Sequence, residues 1–367
     1  MNPDLLKYQI ALTLIPGVGD VNGKRLVSYC AGVEAIFHEK RAALLKIPGI
    51  GQATVNSILS QQVLHRAERE IEFIVSNDLE PLFYTDANYP RRLLNCEDGP
   101  LLLYYKGTAD LNASRMIAFV GTRKATDYGR DRCAEMIEDL KAKEVVVVSG
   151  LAYGIDGCAH RKAVDCGIET VGVMAHGHDR IYPLQHHRLA VSMLEHGGLL
   201  TEFPSGTNPD RENFPKRNRI VAGMCDAVVV IESAQKGGAM ITAGLANSYN
   251  RDVFAVPGRT SDPASQGCNM LIKSNRAALA ESLRDISYIM GWDDLKKPAK
   301  AQRSLFVVLT EEEKILMELL DTRQAIGMDH LIVKANMPAS KVASALLNLE
   351  FEGLVKSLPG KLFKLIS

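Results

Sequence analysis

Hydrophobic positions follow two rhythms along this chain. Between about residues 116 and 290, short unbroken apolar runs alternate with charged stretches of helical period. The runs predict strands at Met116–Val120, Val145–Ser149, Thr170–Met174, Gly198–Thr201, Ala227–Ile231 and Val253–Val256. Between the first two, ATDYGRDRCAEMIEDLKAKE has helical spacing and dense charge. Apolar strands separated by helices predict a mostly parallel sheet covered on both faces. The segment reads as a doubly wound α/β domain, where ligands gather beyond the carboxyl ends of the strands.

The flanks have a different period. Residues 1–75 read as short helices joined by tight glycine turns, and 76–115 as short strands and turns marked by Pro90, Gly99-Pro100 and Gly107. GWDDLKKPAKAQRS, Gly291–Ser304, is polar, carries Pro298 and reads as a linker. In Leu305–Ser367, Thr310 and Glu313 form a capping box before LTEEEKILMELL continues as a helix. MDHLIVKAN and PASKVASALLNLEFEGL predict two more helices, and VKSLPGKLFKLI two strands around Pro359-Gly360. Three helices and a hairpin make a winged-helix pattern. The domain limits expected are therefore 1–75, 76–290, 291–304 as linker, and 305–367.

LIPGVGD and KIPGIGQ place nearly the same turn at Ile15 and Ile47. Proline fixes φ and the glycines allow a tight reversal. The pattern resembles tandem helix-hairpin-helix motifs. Two readings stand. Gly17 and Gly19, or Gly49 and Gly51, expose N–H groups that can hold a phosphate; alternatively, the turns pack five short helices. Residues 1–75 hold eight basic and seven acidic side chains, which favours packing or a weakly assisting role.

Composition narrows the class. Hydrophobic residues make up 46% and charged residues 23%, ordinary for a soluble globular protein. No apolar run approaches the roughly 20 residues that span a bilayer, and MNPDLLKYQIAL lacks the layout of a signal peptide. Seven scattered cysteines without a CxxC suggest reduced thiols in a cytoplasmic protein, not disulfides or structural zinc. Basic and acidic side chains balance at 43 each, so a polyanion site must come from local concentration of charge.

Three strand ends concentrate it. Gly121, Thr122 and Arg123 close the first strand. SGLAYGIDGCAH follows the second, with Gly150 and Gly154 at its turn and Asp156 as the expected helix cap. Lys236-Gly237-Gly238 opens a helix and forms an anion cradle. ENFPKRNRIVAG then sets Phe214 beside Lys216, Arg217 and Arg219, with four basic against two acidic residues over 205–219. An aromatic beside guanidiniums suits single-stranded nucleic acid: bases stack and cations hold the backbone. No GxGxxG or GxxxxGK[ST] is present, which disfavours dinucleotide and P-loop binding.

Gly121-Thr122-Arg123, SGLAYGIDGCAH, DRIYP, TEFPSGT, FPKRNRIVAG, KGGAMITAG, VFAVPG and GCNMLI stand in the order and at about the spacing of the DprA/Smf (DNA-processing protein A) family, over roughly residues 80–280. The resemblance implies an extended Rossmann-like sheet with a helical, SAM-like helix-hairpin-helix amino end and a winged-helix carboxyl end. It implies a cytoplasmic homodimer that binds single-stranded DNA cooperatively, protects incoming strands in natural transformation and loads a RecA-type recombinase, with a single-strand-binding protein as a further partner. Arg123 and the Lys216–Arg219 cluster would hold phosphates, with Gly237 and Gly238 in the groove floor. Many members have Arg where this chain has Tyr153, and Ser-Gly-Ser where it has Lys236-Gly237-Gly238-Ala239. The expected DNA site is Gly121, Thr122, Arg123, Gly150, Phe214, Lys216, Arg217, Asn218, Arg219, Lys236, Gly237 and Gly238, with no catalytic residue, metal or cofactor.

Other residues have plainer readings. His176, His178 and Asp179 suggest turn packing before a metal. His186 and His187 read as surface residues at a helix start, Cys158 and Cys166 as small buried residues, and Asp156 and Glu232 as loop braces. The winged helix has seven basic and eight acidic side chains, and its expected recognition helix offers one Lys and two Glu. That is a poor major-groove reader; an auxiliary or protein-contacting role fits better. The rivals are a phosphoribohydrolase-like nucleotide-processing enzyme, for which KGGAMITA is a partial echo, and an NAD-dependent oxidoreductase, disfavoured by the missing fingerprint.

Overall fold

A computed structural model describes residues 2–292, 309–320, 325–352, 354–358 and 361–365. The chain divides into two compact units, 1–293 and 294–367. Six helices open the first: α1 (Pro3–Leu14), α2 (Asp20–Tyr29), α3 (Val33–His38), α4 (Arg41–Leu44), α5 (Gln52–Leu59) and α6 (Leu64–Ser76). The repeated turn joins α1 to α2 and α4 to α5. Gly17 at φ 79° and Gly49 at φ 81° take the left-handed backbone that a Cβ disfavours. Each turn also delivers a buried isoleucine, Ile15 or Ile47, to the core. The repeat is thus one packing device used twice, joining six helices instead of five.

Nine strands follow in one sheet: β1 (Glu80–Phe83), β2 (Leu102–Gly107), β3 (Met116–Val120), β4 (Val146–Gly150), β5 (Thr170–Val173), β6 (Gly197–Thr201), β7 (Ala227–Val230), β8 (Asp252–Ala255) and β9 (Ala278–Leu279). Their order is β1-β2-β6-β5-β4-β3-β7-β8-β9. From β6 to β9 across the sheet all neighbours are parallel, while β2 pairs antiparallel with β1 and β6. Residues 76–115 therefore extend the sheet.

The strands are covered by α7 (Arg91–Leu94), α8 (Asp127–Glu138), α9 (Ile155–Asp165), α10 (His187–Met193), α11 (Asn213–Gly223), α12 (Gly238–Ser248), α13 (Gln266–Lys273) and α14 (Leu283–Ile289). Alternate side chains of β3 point to opposite faces. Ala118 and Val120 join Ile220, Val221 and Ala243 of α11 and α12 in one core. Ile117 and Phe119 join Cys133 and Met136 of α8 and Ala159 of α9 in another. Strand order runs one way from β3 to β6 and the other way from β3 through β7 to β9. The direction reverses beside β3, and a crevice opens beyond its carboxyl end.

The amino-terminal helices share a core with the sheet. Leu6, Ile10, Ile36 and Ile74 pack in one cluster with Phe83, Leu101, Leu102 and Tyr104. Asp20, the first residue of α2, accepts the Leu101 amide at 2.8 Å. Glu70 on α6 accepts the Ser205 amide at 2.8 Å. At the other limit, Trp292 is buried against the core that holds Phe119. The expected linker thus starts later than Gly291, and its residues 293–304 lie outside the described residues.

In the second unit, α15 (Glu311–Leu319), α16 (Met328–Ala335) and α17 (Ala339–Phe351) precede β11 (Val355–Leu358) and β12 (Leu362–Leu365). A short β10 (Ile326–Gly327), not expected from sequence, completes a sheet ordered β10-β12-β11. The Thr310–Glu313 capping box is present in both directions. The expected Pro359-Gly360 turn lies outside the described residues.

Two predictions follow from this packing. Thr310→Ala removes a helix cap and is expected to lower the stability of the second unit by ~1 kcal/mol, read from its unfolding midpoint. The second concerns acid. Burial pushes His160 down to about 3 and His178 down to about 4. The unfolded chain takes up protons near pH 6.5 that the native rings refuse. Their contribution is complete above that pH and is lost as pH falls toward 3–4, at up to ~1.4 kcal/mol per pH unit for each ring. Urea midpoints between pH 7 and 4 are expected to fall less steeply for His160→Gln than for the parent chain; equal slopes refute the assignment.

Candidate nucleic-acid interface

Four backbone segments converge on the crevice: the loop leaving β3, the end of β4, the first turns of α11, and the loop into α12. They enclose a cleft of ≈ 590 Å³. Gly121, Thr122, Arg123, Gly150, Phe214, Arg217, Asn218, Lys236, Gly237 and Gly238 all line it. So do Asp156, Tyr182, Arg211 and Ile241, which sequence reasoning left out of the site. Their signal was available: Tyr182 lies in the loop after β5, another strand ending at the same rim, and Arg211 lies two residues before α11.

Glycines let the walls approach. A Cβ on Gly121 would stand 2.4 Å from Ile155 Cγ1, and one on Gly237 would stand 2.7 Å from Ser233 Oγ. Gly238 has open space beside it. The amino end of α12 therefore presents bare backbone to the cleft, with exposed Lys236 next to it. Such a terminus favours negative charge.

Arg123 is exposed, and its guanidinium carbon sits 4.7 Å from the centroid of the Phe214 ring. Phe214 in turn meets the Tyr182 ring edge-on at 6.0 Å. Among the described residues Arg123 makes no ion pair, so its charge faces solvent.

Arg217 has a different setting from the exposed phosphate ligand expected. It is buried, with Nη1 donating to the Val173 carbonyl and Nε donating to Asn218 Oδ1 at 3.2 Å. Its Nη2 lies 4.0 Å from Asp156. A Cβ on Gly150 would come within 2.1 Å of Nη1, so only glycine admits the guanidinium there. Burial lowers the Arg217 pKa, opposed by Asp156 and reinforced by the nearby Arg123. Burial raises Asp156, opposed mainly by Arg217. Asp156 is thus the carboxylate opposite the buried Arg217 guanidinium, with the exposed Arg123 charge nearby. Asp156 does not cap α9: Gly154 holds that position without a side-chain bond.

Helix phase separates the basic cluster. Phe214, Arg217, Asn218 and Val221 follow i, i+3, i+4, i+7 and line the cleft. Lys216 is exposed but does not line it. Arg219 points toward the amino-terminal helices, pairing with Glu202 and, at 3.0 Å, with Asp20, and donating to the Asp98 carbonyl. Burial works against its charge, but Glu202 and Asp20 hold its pKa above the ordinary value.

The remaining candidates are braces. Glu232 is buried and accepts the Thr126 amide at 2.9 Å and hydroxyl at 2.5 Å, which fixes the start of α8. His176 and His178 bond to backbone at Gly177 and Tyr104. Among the described residues, no group of three or more His, Cys, Asp or Glu is placed to hold a metal ion. His186 is buried, not on the surface: it bonds the Leu151 carbonyl at 3.1 Å and packs where Gly157 has no Cβ. Cys158 is half-buried because it falls between the inward positions Ile155 and Ala159 of α9, and Cys166 because it caps the helix at its carboxyl end.

Residues 80–291 match the family described as DNA recombination-mediator protein A, and 296–361 match the DprA winged helix domain. The chain is 31% identical to Protein Smf of Synechocystis sp. over 388 residues, 96% of this chain and 97% of that protein. It is 37% identical to a putative DNA processing protein DprA of Mycobacterium tuberculosis, over 72% of this chain and 69% of that one. The X-ray structure of DNA processing protein A from Streptococcus pneumoniae superposes with a TM-score of 0.67 at 31% identity, covering 77% of this chain and 97% of that chain. A Helicobacter pylori DNA processing protein A, studied for its single-stranded DNA binding mode, matches with a TM-score of 0.53 at 26% identity, over 59% and 96% of the two chains. With the doubly wound sheet, the strand-end glycines and the winged helix in place, the chain belongs to the DNA recombination-mediator protein A (DprA/Smf) family.

Proposed function

We propose that this chain binds single-stranded DNA along the cleft beyond β3 and acts as a recombination mediator. The observation that carries the reading is Arg123, an unpaired cation stacked on Phe214 at the point where strand order reverses. A ring offers a face to any unpaired base, and a guanidinium holds the adjoining phosphate. Bare backbone at Gly237 and Gly238 adds N–H donors that read no sequence. A duplex keeps its base faces stacked internally, so the ring favours single strands. The printed description of the H. pylori relative supports the same ligand.

Within this reading the protein is a non-enzymatic cytoplasmic homodimer. It protects incoming strands during natural transformation and passes them to a RecA-type recombinase, with a single-strand-binding protein on the same DNA. Arg123, Arg217, Asn218, Thr122, Gly121, Gly150, Lys236, Gly237, Gly238 and Phe214 form its DNA site. Lys216 contributes long-range attraction from outside the cleft, and Arg219 braces α11.

Fluorescence anisotropy with labelled single- and double-stranded oligonucleotides across a salt series tests the ligand. Single strands are expected to bind more tightly and to weaken with salt. Arg123→Ala is expected to reduce the log–log salt slope by ~0.7, one phosphate's share. Phe214→Ala should weaken binding by ~1–3 kcal/mol with little change in slope. Equal, negligible binding of both strand types refutes the reading and directs the next assay to base release from purine nucleotides. Delivery to the recombinase predicts a shorter lag in filament assembly on strands coated with single-strand-binding protein; an unchanged lag refutes that part alone.

A further inference from the structure

We propose that the DNA path continues out of the cleft across the loop after β5, with Tyr153 as a second stacking platform. The inference rests on the cleft reading above. On this side the cleft is bounded by Tyr182, whose ring touches Phe214 and remains 41% exposed. Three residues along the same loop, Gln185 accepts the Tyr153 hydroxyl at 2.5 Å. The Tyr153 ring also meets the buried His186 ring at 5.5 Å in an edge contact. The ring is therefore fixed at its hydroxyl and on one flank, yet stays 39% exposed. A rigid exposed aromatic loses little entropy when a base stacks on it.

Two further features suit a strand of DNA better than another protein. Arg161 on α9 and Arg188 on α10 are exposed and make no ion pair among the described residues. Arg161 adds to burial in lowering His186, the ring that Tyr153 meets edge-on. Leu184 projects 75% exposed from the loop between Tyr182 and Gln185. An exposed aromatic face, continuous through Tyr182 with a cleft that already pairs a ring with a guanidinium, matches the alternating bases and phosphates of an unpaired strand.

The test measures affinity of the full chain for oligothymidylates lengthened from about 4 to about 16 nucleotides. The parent chain should gain affinity as the strand reaches beyond the cleft. Tyr153→Ala should leave the shortest strand unaffected and weaken the longer ones by about 5- to 30-fold. Tyr153→Phe should retain the gain, because the ring is kept. Leu184→Glu, at a site too exposed to disturb folding, should also weaken only the longer strands. If Arg123→Ala weakens binding at every length while Tyr153→Ala and Leu184→Glu match the parent, the extended path is wrong and the cleft stands. If the parent chain binds no strand of any length, the cleft reading fails and this inference falls with it.

Discussion

Arg217 is the fixed point around which the crevice is arranged. Burying a guanidinium is costly unless its donors are met and its charge is opposed. Here the Val173 carbonyl at the end of β5, the Asn218 amide oxygen and the Asp156 carboxylate each answer part of that demand. Those partners come from β5, α11 and α9, so satisfying one side chain sets three elements relative to one another. Gly150 is bound to the same requirement, since any Cβ there would occupy the guanidinium's place. The cleft floor is therefore determined by electrostatic necessity before any ligand arrives.

That constraint reaches the amino-terminal helices through the opposite face of α11. Arg219 spans Glu202, Asp20 and the Asp98 carbonyl. Asp20 begins α2 immediately after the first Ile-Pro-Gly turn, and it also accepts the Leu101 amide. The first copy of the turn thus has a function visible without DNA: it aims a carboxylate at the helix that carries Phe214 and Arg217. A helical region with nearly balanced charge can matter to the interface by holding that helix in register. Its own exposed turns need not touch the strand.

Much of this was legible from residues alone, and the pattern of success has a physical cause. Strands buried on both faces appear as unbroken apolar runs, so β3 was placed to the residue and β4 to β8 to within one. Glycines at strand ends and the Thr310–Glu313 capping box are local signals, and each was read correctly in place. What escaped were contacts between residues distant in sequence. Lys216, Arg217 and Arg219 look like one cluster until a helix turns each to a different face. Asp156 sits where a cap belongs, yet its partner is sixty-odd residues downstream, and His186 is drawn under Leu151 by packing that no local pattern records. Tyr182 and Arg211 were missed because a cleft collects loops, while a sequence presents them separately.

The balance of 43 basic and 43 acidic side chains now has a structural meaning. Several arginines are already committed: Arg92 forks onto Asp226 at 2.7 and 2.8 Å, Arg66 meets Glu70 at 2.7 Å, and Arg219 is enclosed by carboxylates. Such pairs cancel at a distance and leave no field for a polyanion. Arg123 and Lys236 stand outside these pairs and line the same cleft, next to the buried Arg217. Local imbalance within a neutral molecule can still concentrate attraction at a groove. In the proposed reading, a phosphate entering beyond β3 meets unpaired cations and bare N–H groups together. Neutral composition is then compatible with the proposed nucleic-acid binding.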